Sequence, residues 1–283
     1  MILLDLSQVM ISNIMMQVGQ HTDAIQPDLI RHMVINTVRS LKVKFADYGE
    51  LVIACDDKKY WRREYFPYYK ANRKADREKS NIDWPVLFDT LNQVKTEIKD
   101  NFPYRVIQVE GAEADDVIGT LVMKFGSELN NEDNILILSG DKDFVQLQRF
   151  GNVTQYDPVR KKDITSNDPE KFTEHLVLSG DRGDGIPNVL SADNCIVEGV
   201  RQKPLREAKI EEILSTEWES LPNDIKRNWS RNMTLIDLTF IPDKIKQNII
   251  TEYEAQSNKP RDKMFNYFIQ HKMKLLMESI GDF

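Results

Sequence analysis

Cysteine and histidine are scarce in this chain, with two and four among 283 residues. Cys55 and Cys195 cannot build a disulfide framework, and so few histidines leave a structural zinc site unexpected. A reducing, cytoplasmic setting is expected. Long apolar runs are missing too: nothing approaches the ~20 residues of a bilayer span, so no membrane partner is expected. The apolar run at the N-terminus ends at Asp5 and lacks the basic flank and long core of a secretory signal. The pattern G-x-x-x-x-G-K-[ST] does not occur, which excludes a P-loop nucleotide hydrolase. Asp141-Lys142-Asp143 begins like an EF-hand loop, but Val145 follows where a ligand is needed and the glycine is absent. An aspartyl phosphotransferase centred on Asp5 needs a second acid two residues on, and Ser7 stands there.

Charge is plentiful but uneven. The net charge is −7, which taken alone argues against a nucleic-acid partner. Yet Lys58 to Lys79 holds nine Lys/Arg and three Asp/Glu, a local balance of +6. Local charge outweighs the sum, because screening cuts off distant charges beyond ~8 Å at physiological salt. The segment interleaves its cations with Tyr60, Trp61, Tyr65, Phe66, Tyr68 and Tyr69. Cations supply phosphate affinity and aromatic faces stack on unpaired bases. The plainer reading is a solvated helix face with some aromatics in the core. Weaker basic groups at Arg160 to Lys162 and at Arg201, Lys203, Arg206 and Lys209 read as surface charge.

Apolar periodicity orders the chain as strand, helix, strand, helix. "MILLD", "LVIACDD", "YRVIQV" and "NILILSGDKDF" read as buried strands, and "GNVTQYDP" as a shorter fifth. Helices are expected over 27–45, from 84 to about 99, and through "EADDVIGTLVMKF". This alternation predicts an α/β fold, a mostly parallel central sheet with helices on both faces. From about residue 168 helical segments dominate: 168–178, 205–218, 223–238, 242–256 and 260–278. Two domains are expected, an α/β core over 1–166 that includes the basic stretch as an arch at 57–83, and a helical portion over 167–283.

Three expected strands end in aspartate: Asp5, Asp56, and Asp141 followed by Asp143. Ligands of open parallel sheets bind beyond the carboxyl ends of the strands. Glu113, Asp115 and Asp116 open a helix just after the third strand, and Asp181 and Asp184 sit in the glycine-rich "SGDRGDGIPN". Each group has an ordinary explanation. The first can complement a helix dipole and the second can form turns. Together they would repel and raise one another's pKa, unless cations bridge them. Hard oxygen ligands suit Mg²⁺, with Mn²⁺ as a substitute, and a pair of such ions is the clamp used in phosphodiester cleavage.

"YKANR", "EADD", "SGDKDF" and "SGDRGDGIPNV", in this order and spacing, resemble the flap endonuclease or 5′-nuclease family, whose core is PIN-like. The resemblance implies a 5′ to 3′ exonuclease that removes RNA primers and adjacent DNA from lagging-strand fragments. Flap endonuclease and ribonuclease H activities go with it. It implies two Mg²⁺ ions on Asp5, Asp56, Glu113, Asp115, Asp116, Asp141, Asp143, Asp181 and Asp184, with Asp56 and Asp141 central to catalysis. It puts Lys70 and Arg73 on the scissile phosphate, and Arg62, Arg63 and Lys74 beside them on the strand. The implied substrates are DNA and RNA–DNA hybrid with a free 5′ end or flap. The implied state is a monomer that meets a single-strand DNA-binding protein through its helical portion. One stretch departs from the family: "VLSADNCIVEGVRQKP" lacks the glycines of the usual K⁺-binding hairpin, which leaves K⁺ open. Rival readings are a branched-DNA binding protein without catalysis, a 5′ nuclease of repair, and a small RNA-cleaving toxin-type domain, which is shorter and has no arch.

Overall fold

The computed structural model describes residues 1–18, 26–80, 82–128 and 134–283. Six strands form one sheet: β1 Ile2–Asp5, β2 Leu51–Ala54, β3 Arg105–Ile107, β4 Ile135–Leu138, β5 Val153–Asp157 and β6 Lys162–Ile164. Their order is β3-β2-β1-β4-β5-β6, parallel except for β6, which runs antiparallel to β5. The expected α/β class and parallel sheet are therefore present. β6 was not legible: its three residues, Lys162-Asp163-Ile164, form an edge strand with no buried side chain to give it a pattern.

The strands alternate between two cores, as a period of two requires. Ile2, Leu4, Leu51, Ile53, Leu136 and Leu138 face one side, and Leu3, Val52, Ala54, Ile135 and Ile137 the other. On the first side lie helices α1 Leu6–Val18, α2 Pro27–Lys44 and α5 Trp84–Asn101. On the second side lies α6 Ala114–Glu128, with a 3-10 helix over Lys142–Arg149. α1 has no counterpart in the sequence reading. Apolar residues lie nearly all round it (Leu6, Val9, Met10, Ile11, Ile14, Met15), which leaves no single stripe to mark a helix.

The basic stretch folds into two short helices, α3 Trp61–Tyr65 and α4 Asn72–Glu78; Asn81 lies outside the described residues. The helical portion comprises α7 Pro169–Ser179, α8 Glu207–Ser215, α9 Asn223–Ile236, α10 Asp243–Ala255, α11 Met264–Gln270 and α12 Lys274–Glu278. The expected helix 260–278 is thus two helices. The chain breaks between them, where Lys272 adopts φ +55 and cannot continue a right-handed helix.

Much of this portion packs back on the sheet layers. Ile245, Ile249 and Tyr253 of α10 join the α6 side, while Met264, Tyr267, Phe268, Met273 and Leu276 join the α2 and α5 side. A third cluster ties Phe66 and Tyr69 of the basic stretch to Leu176, Val177, Ile186, Leu235 and Ile236. Chain order fixes where the acids meet. The chain runs outward from β1 through β2 to β3, then returns to β4 on the other flank of β1. That reversal opens a crevice beyond the carboxyl ends of β1 and β4.

Candidate active site

Asp5, the last residue of β1, is buried at the crevice. Its Oδ1 accepts from the Gln8 N–H at 3.1 Å and so caps α1, while the Ser139 hydroxyl donates to Oδ2 at 3.2 Å. Asp56 stands two residues past β2 and accepts from the Ala114 N–H at 2.9 Å. Asp141 follows β4 and caps the next turn by accepting from the Asp143 N–H at 3.0 Å. At the start of α6, Asp116 Oδ2 accepts from the Glu113 N–H at 2.9 Å, closing the turn as a capping box does. This local role is real, yet it does not exhaust the group. A cavity of about 510 Å³ opens between these elements, and Asp5, Asp56, Asp115, Asp141, Lys70 and Arg73 all line it.

The nine acids divide sharply by their neighbours. Four are held by protein cations. Arg62 Nη1 lies 3.0 Å from Glu113 and 2.8 Å from Asp116, and Lys70 Nζ lies 2.5 Å from Glu113. Arg73 pairs with Asp184 at 2.6 Å, and Lys142 with Asp181 at 2.7 Å. The Tyr69 hydroxyl, 3.0 Å from Glu113 and 3.2 Å from Asp184, donates to one or the other. Among the described residues the other five, Asp5, Asp56, Asp115, Asp141 and Asp143, have no such ion pair. Asp143 Oδ1 is buried without any hydrogen-bond partner.

The electrostatics follow this division. Burial, then the charges of Asp56 and Asp141, push the Asp5 carboxyl up to about 7. Burial and neighbouring carboxylates likewise raise Asp115, Asp141 and Asp143. Asp184 moves the opposite way: burial would raise it, but Lys70 and Arg73 together outweigh burial. Burial opposes the Lys70 charge, and Asp184 and Glu113 reverse that, so the ammonium is held firmly protonated.

A pH dependence of stability results. Asp5 binds its proton more tightly when folded than unfolded, so the folded state carries more protons between about pH 4 and 7. Stability from this group is therefore greatest at low pH and is lost as pH rises through about 7. In EDTA, Asp5→Asn should flatten the fall of melting temperature between pH 4 and 7 relative to the unsubstituted chain. An unchanged slope would refute this assignment.

The arch residues sit differently from one another. Lys70 adopts φ +54, a rare conformation for a residue with a side chain. It is held there because its N–H donates to Asp184 O at 2.7 Å. Gly185 makes that approach possible: at φ +73 its Cβ would stand 2.6 Å from Tyr68 O. Arg63 on α3 and Arg73 and Lys74 on α4 are exposed, and of the three Arg73 lines the cavity. Arg62 departs from expectation. It is 2% exposed, and its guanidinium is spent on Glu113, Asp116 and the Leu235 carbonyl, so it offers a nucleic-acid strand nothing. Charge counting cannot separate it from its neighbour Arg63.

Other contributors escaped the sequence reading. Asp57 accepts from the Gly111 N–H at 3.0 Å and fixes the turn before Glu113. Trp61 Nε1 donates to Asp116 at 3.1 Å. The departing stretch after Pro187 forms turns, held by Asn228, whose side-chain amide donates to Val189 O at 2.8 Å. A separate group, His175, Glu207 and Glu211, brings one ligand atom each within 4.8 Å, but its glutamates are exposed and Lys171 pairs with Glu211. Among the described residues no three acids at the sheet edge approach so closely, as befits carboxylates that repel.

Residues 8–177 match the family model described as 5′-3′ exonuclease, N-terminal resolvase-like domain, and residues 168–283 match that of T4 RNase H, C terminal. The chain is 33% identical to ribonuclease H of Enterobacteria phage T4, over 99% of this chain and 95% of that one. It is 31% identical to flap endonuclease Xni of Shewanella woodyi over 52% of this chain and 57% of that one. In fold it is similar to the bacteriophage T5 D15 flap endonuclease solved with DNA and metal ions, with a TM-score of 0.63 and 20% identity over 89% of this chain and 98% of that one. The T5 5′-exonuclease with bound zinc matches with a TM-score of 0.64 and 18% identity, over 91% and 99% of the two chains. No described helix is long and apolar enough to cross a membrane. With one family model running from β1's capped helix to α7 and a full-length relative at this identity, the chain belongs to the 5′-3′ exonuclease family.

Proposed function

We propose that the chain is a replication 5′ to 3′ exonuclease and flap endonuclease, acting on DNA and on RNA–DNA hybrid and removing RNA primers with the DNA beside them. The observation that carries this reading is the division of the acids. Four of the five carboxylates without an ion pair, Asp5, Asp56, Asp115 and Asp141, line a cavity that Lys70 and Arg73 also line, and Asp143 stands two residues beyond Asp141. An all-oxygen donor set, raised carboxyl pKa values and the orphaned Asp143 Oδ1 fit hard divalent cations. We assign two Mg²⁺ ions to this set, held chiefly by Asp5, Asp56, Asp115, Asp141 and Asp143. Glu113, Asp116, Asp181 and Asp184 stand behind them, each already paired. When bound, such ions polarise the scissile phosphate and activate water.

The protein's own groups supply the rest. Lys70 and Arg73, fixed by Glu113 and Asp184, present charge to the phosphoryl oxygens where negative charge grows in the transition state. Arg63 and Lys74 hold the strand through its phosphates. A strand held between the acids and these cations is presented by a free 5′ end or flap.

The test is digestion of a 5′-labelled flap duplex and a 5′-labelled RNA–DNA hybrid with Mg²⁺, against an EDTA control. Metal-dependent release of short labelled products is expected. Tight binding with no release would leave a branched-DNA binding protein instead. In the same assay Lys70→Ala and Arg73→Ala should each slow single-turnover cleavage at saturating substrate by about 10²-fold. If only substrate affinity falls, the two residues position the strand and do not act on the phosphate.

A further inference from the structure

The loop that follows β4 carries Asp141 and Asp143, and its backbone is held by buried glutamines. Gln155, on β5 and 2% exposed, donates from Nε2 to Ser139 O at 3.0 Å and to Asp141 O at 2.6 Å. Gln146, 3% exposed, donates from Nε2 to Asp143 O at 2.7 Å and to Ile236 O at 3.1 Å, and its Oε1 accepts from the Leu238 N–H at 2.8 Å. Gln148 braces the first of these: its Nε2 lies 3.2 Å from Gln155 Oε1 and 3.0 Å from Ile164 O. The carbonyls of residues 139, 141 and 143 are thus each met by a carboxamide whose two N–H groups are both used.

The choice of a neutral donor has a consequence. Wherever a lysine or arginine holds an acid of this site, its charge is already offset, as at Glu113 and Asp184. Four of the five remaining acids are oriented by neutral groups: the Gln8 N–H and Ser139 hydroxyl for Asp5, the Ala114 N–H for Asp56, and the glutamine-held loop for Asp141 and Asp143. A glutamine fixes geometry without consuming the negative charge that a cation needs. Both amides grip main-chain oxygens, so they set where the two carboxylates project without touching them.

We infer that Gln155 and Gln146 are positioning residues that pre-organise Asp141 and Asp143 for divalent cations. Gln146 also ties that loop to the junction after α9, through Ile236 and Leu238. The inference rests on the metal reading above. Its test is calorimetric titration of the full chain with Mn²⁺ in the absence of DNA, at a temperature well below melting, beside thermal melting in EDTA. Gln155→Met and Gln146→Met keep the size of the side chain and remove the donors. Each should weaken Mn²⁺ binding by about tenfold or more, as loss of outer-shell partners does elsewhere. Gln148→Met, which removes only the brace, should give a smaller loss in the same direction, and serves if the other variants do not fold. Folded variants that bind Mn²⁺ like the unsubstituted chain, with only a lower melting temperature, would overturn the inference and leave the function standing. An unsubstituted chain that takes up no Mn²⁺ would overturn both.

Discussion

Asp141→Asn is expected to reduce strand cleavage by on the order of 10³-fold, about 4 kcal/mol of barrier, while leaving flap binding at low salt intact. Asparagine keeps an oxygen for the Asp143 N–H, so the turn after β4 survives. What it removes is one negative charge among Asp5, Asp115, Asp143 and Asp184, which all act on or are acted on by Asp141. That repulsion is a cost to the metal-free fold. The variant should therefore melt higher than the unsubstituted chain in EDTA and gain less from added Mg²⁺. A catalytic group in a destabilising cluster carries this signature, more stable and less active, whereas a structural residue shows the reverse. Unchanged turnover, or a lower melting temperature in EDTA, would refute the role.

Arg62→Ala should act on stability first. Arg62 is enclosed, with Glu113 at 1% and Asp116 at 0% exposure. A buried pair can be no better than an apolar substitute, yet removing one partner strands the other charge and costs about 3–5 kcal/mol. Here two carboxylates lose the guanidinium that lies between them, although Lys70 still reaches Glu113. On the size scaling of thermal unfolding, melting should fall by on the order of 10 °C. Adding Asp116→Asn to the variant should recover part of the loss, because one stranded charge is then gone. A melting shift under about 2 °C in the single variant would show that water or rearrangement replaces the guanidinium. Direct phosphate contact by Arg62 predicts something else: unaltered stability and a shallower salt dependence of binding.

Several features were legible because they repeat locally. Strand cores such as Ile2-Leu3-Leu4 and Ile135-Leu136-Ile137-Leu138 are continuous apolar runs because both faces of the sheet are covered. Aspartates at the ends of such runs placed the acids at one edge. Asp83 accepts from the Val86 N–H and caps α5, the ordinary role its position predicts. Unforeseen features depend on partners far away in the chain. β6 is polar and exists by pairing with β5. The break at Lys272 lies within an apolar pattern that continues smoothly across it.

The character of the chain as an α/β nuclease with a carboxylate centre is written in short-range patterns: periodicity, strand-end acids and a one-signed basic stretch. Those patterns are chemical and local, and physics reads them without knowing the fold. The charge state of each group was decided by tertiary structure alone. Arg62 and Arg63 are neighbours in sequence, yet one is buried between two acids and the other is exposed. Asp143 and Asp184 look alike in their motifs, yet one buries a carboxylate oxygen without a partner and the other meets Lys70 and Arg73. Burial and the proximity of charges are properties of three-dimensional distance, and residues more than a hundred positions apart set them here.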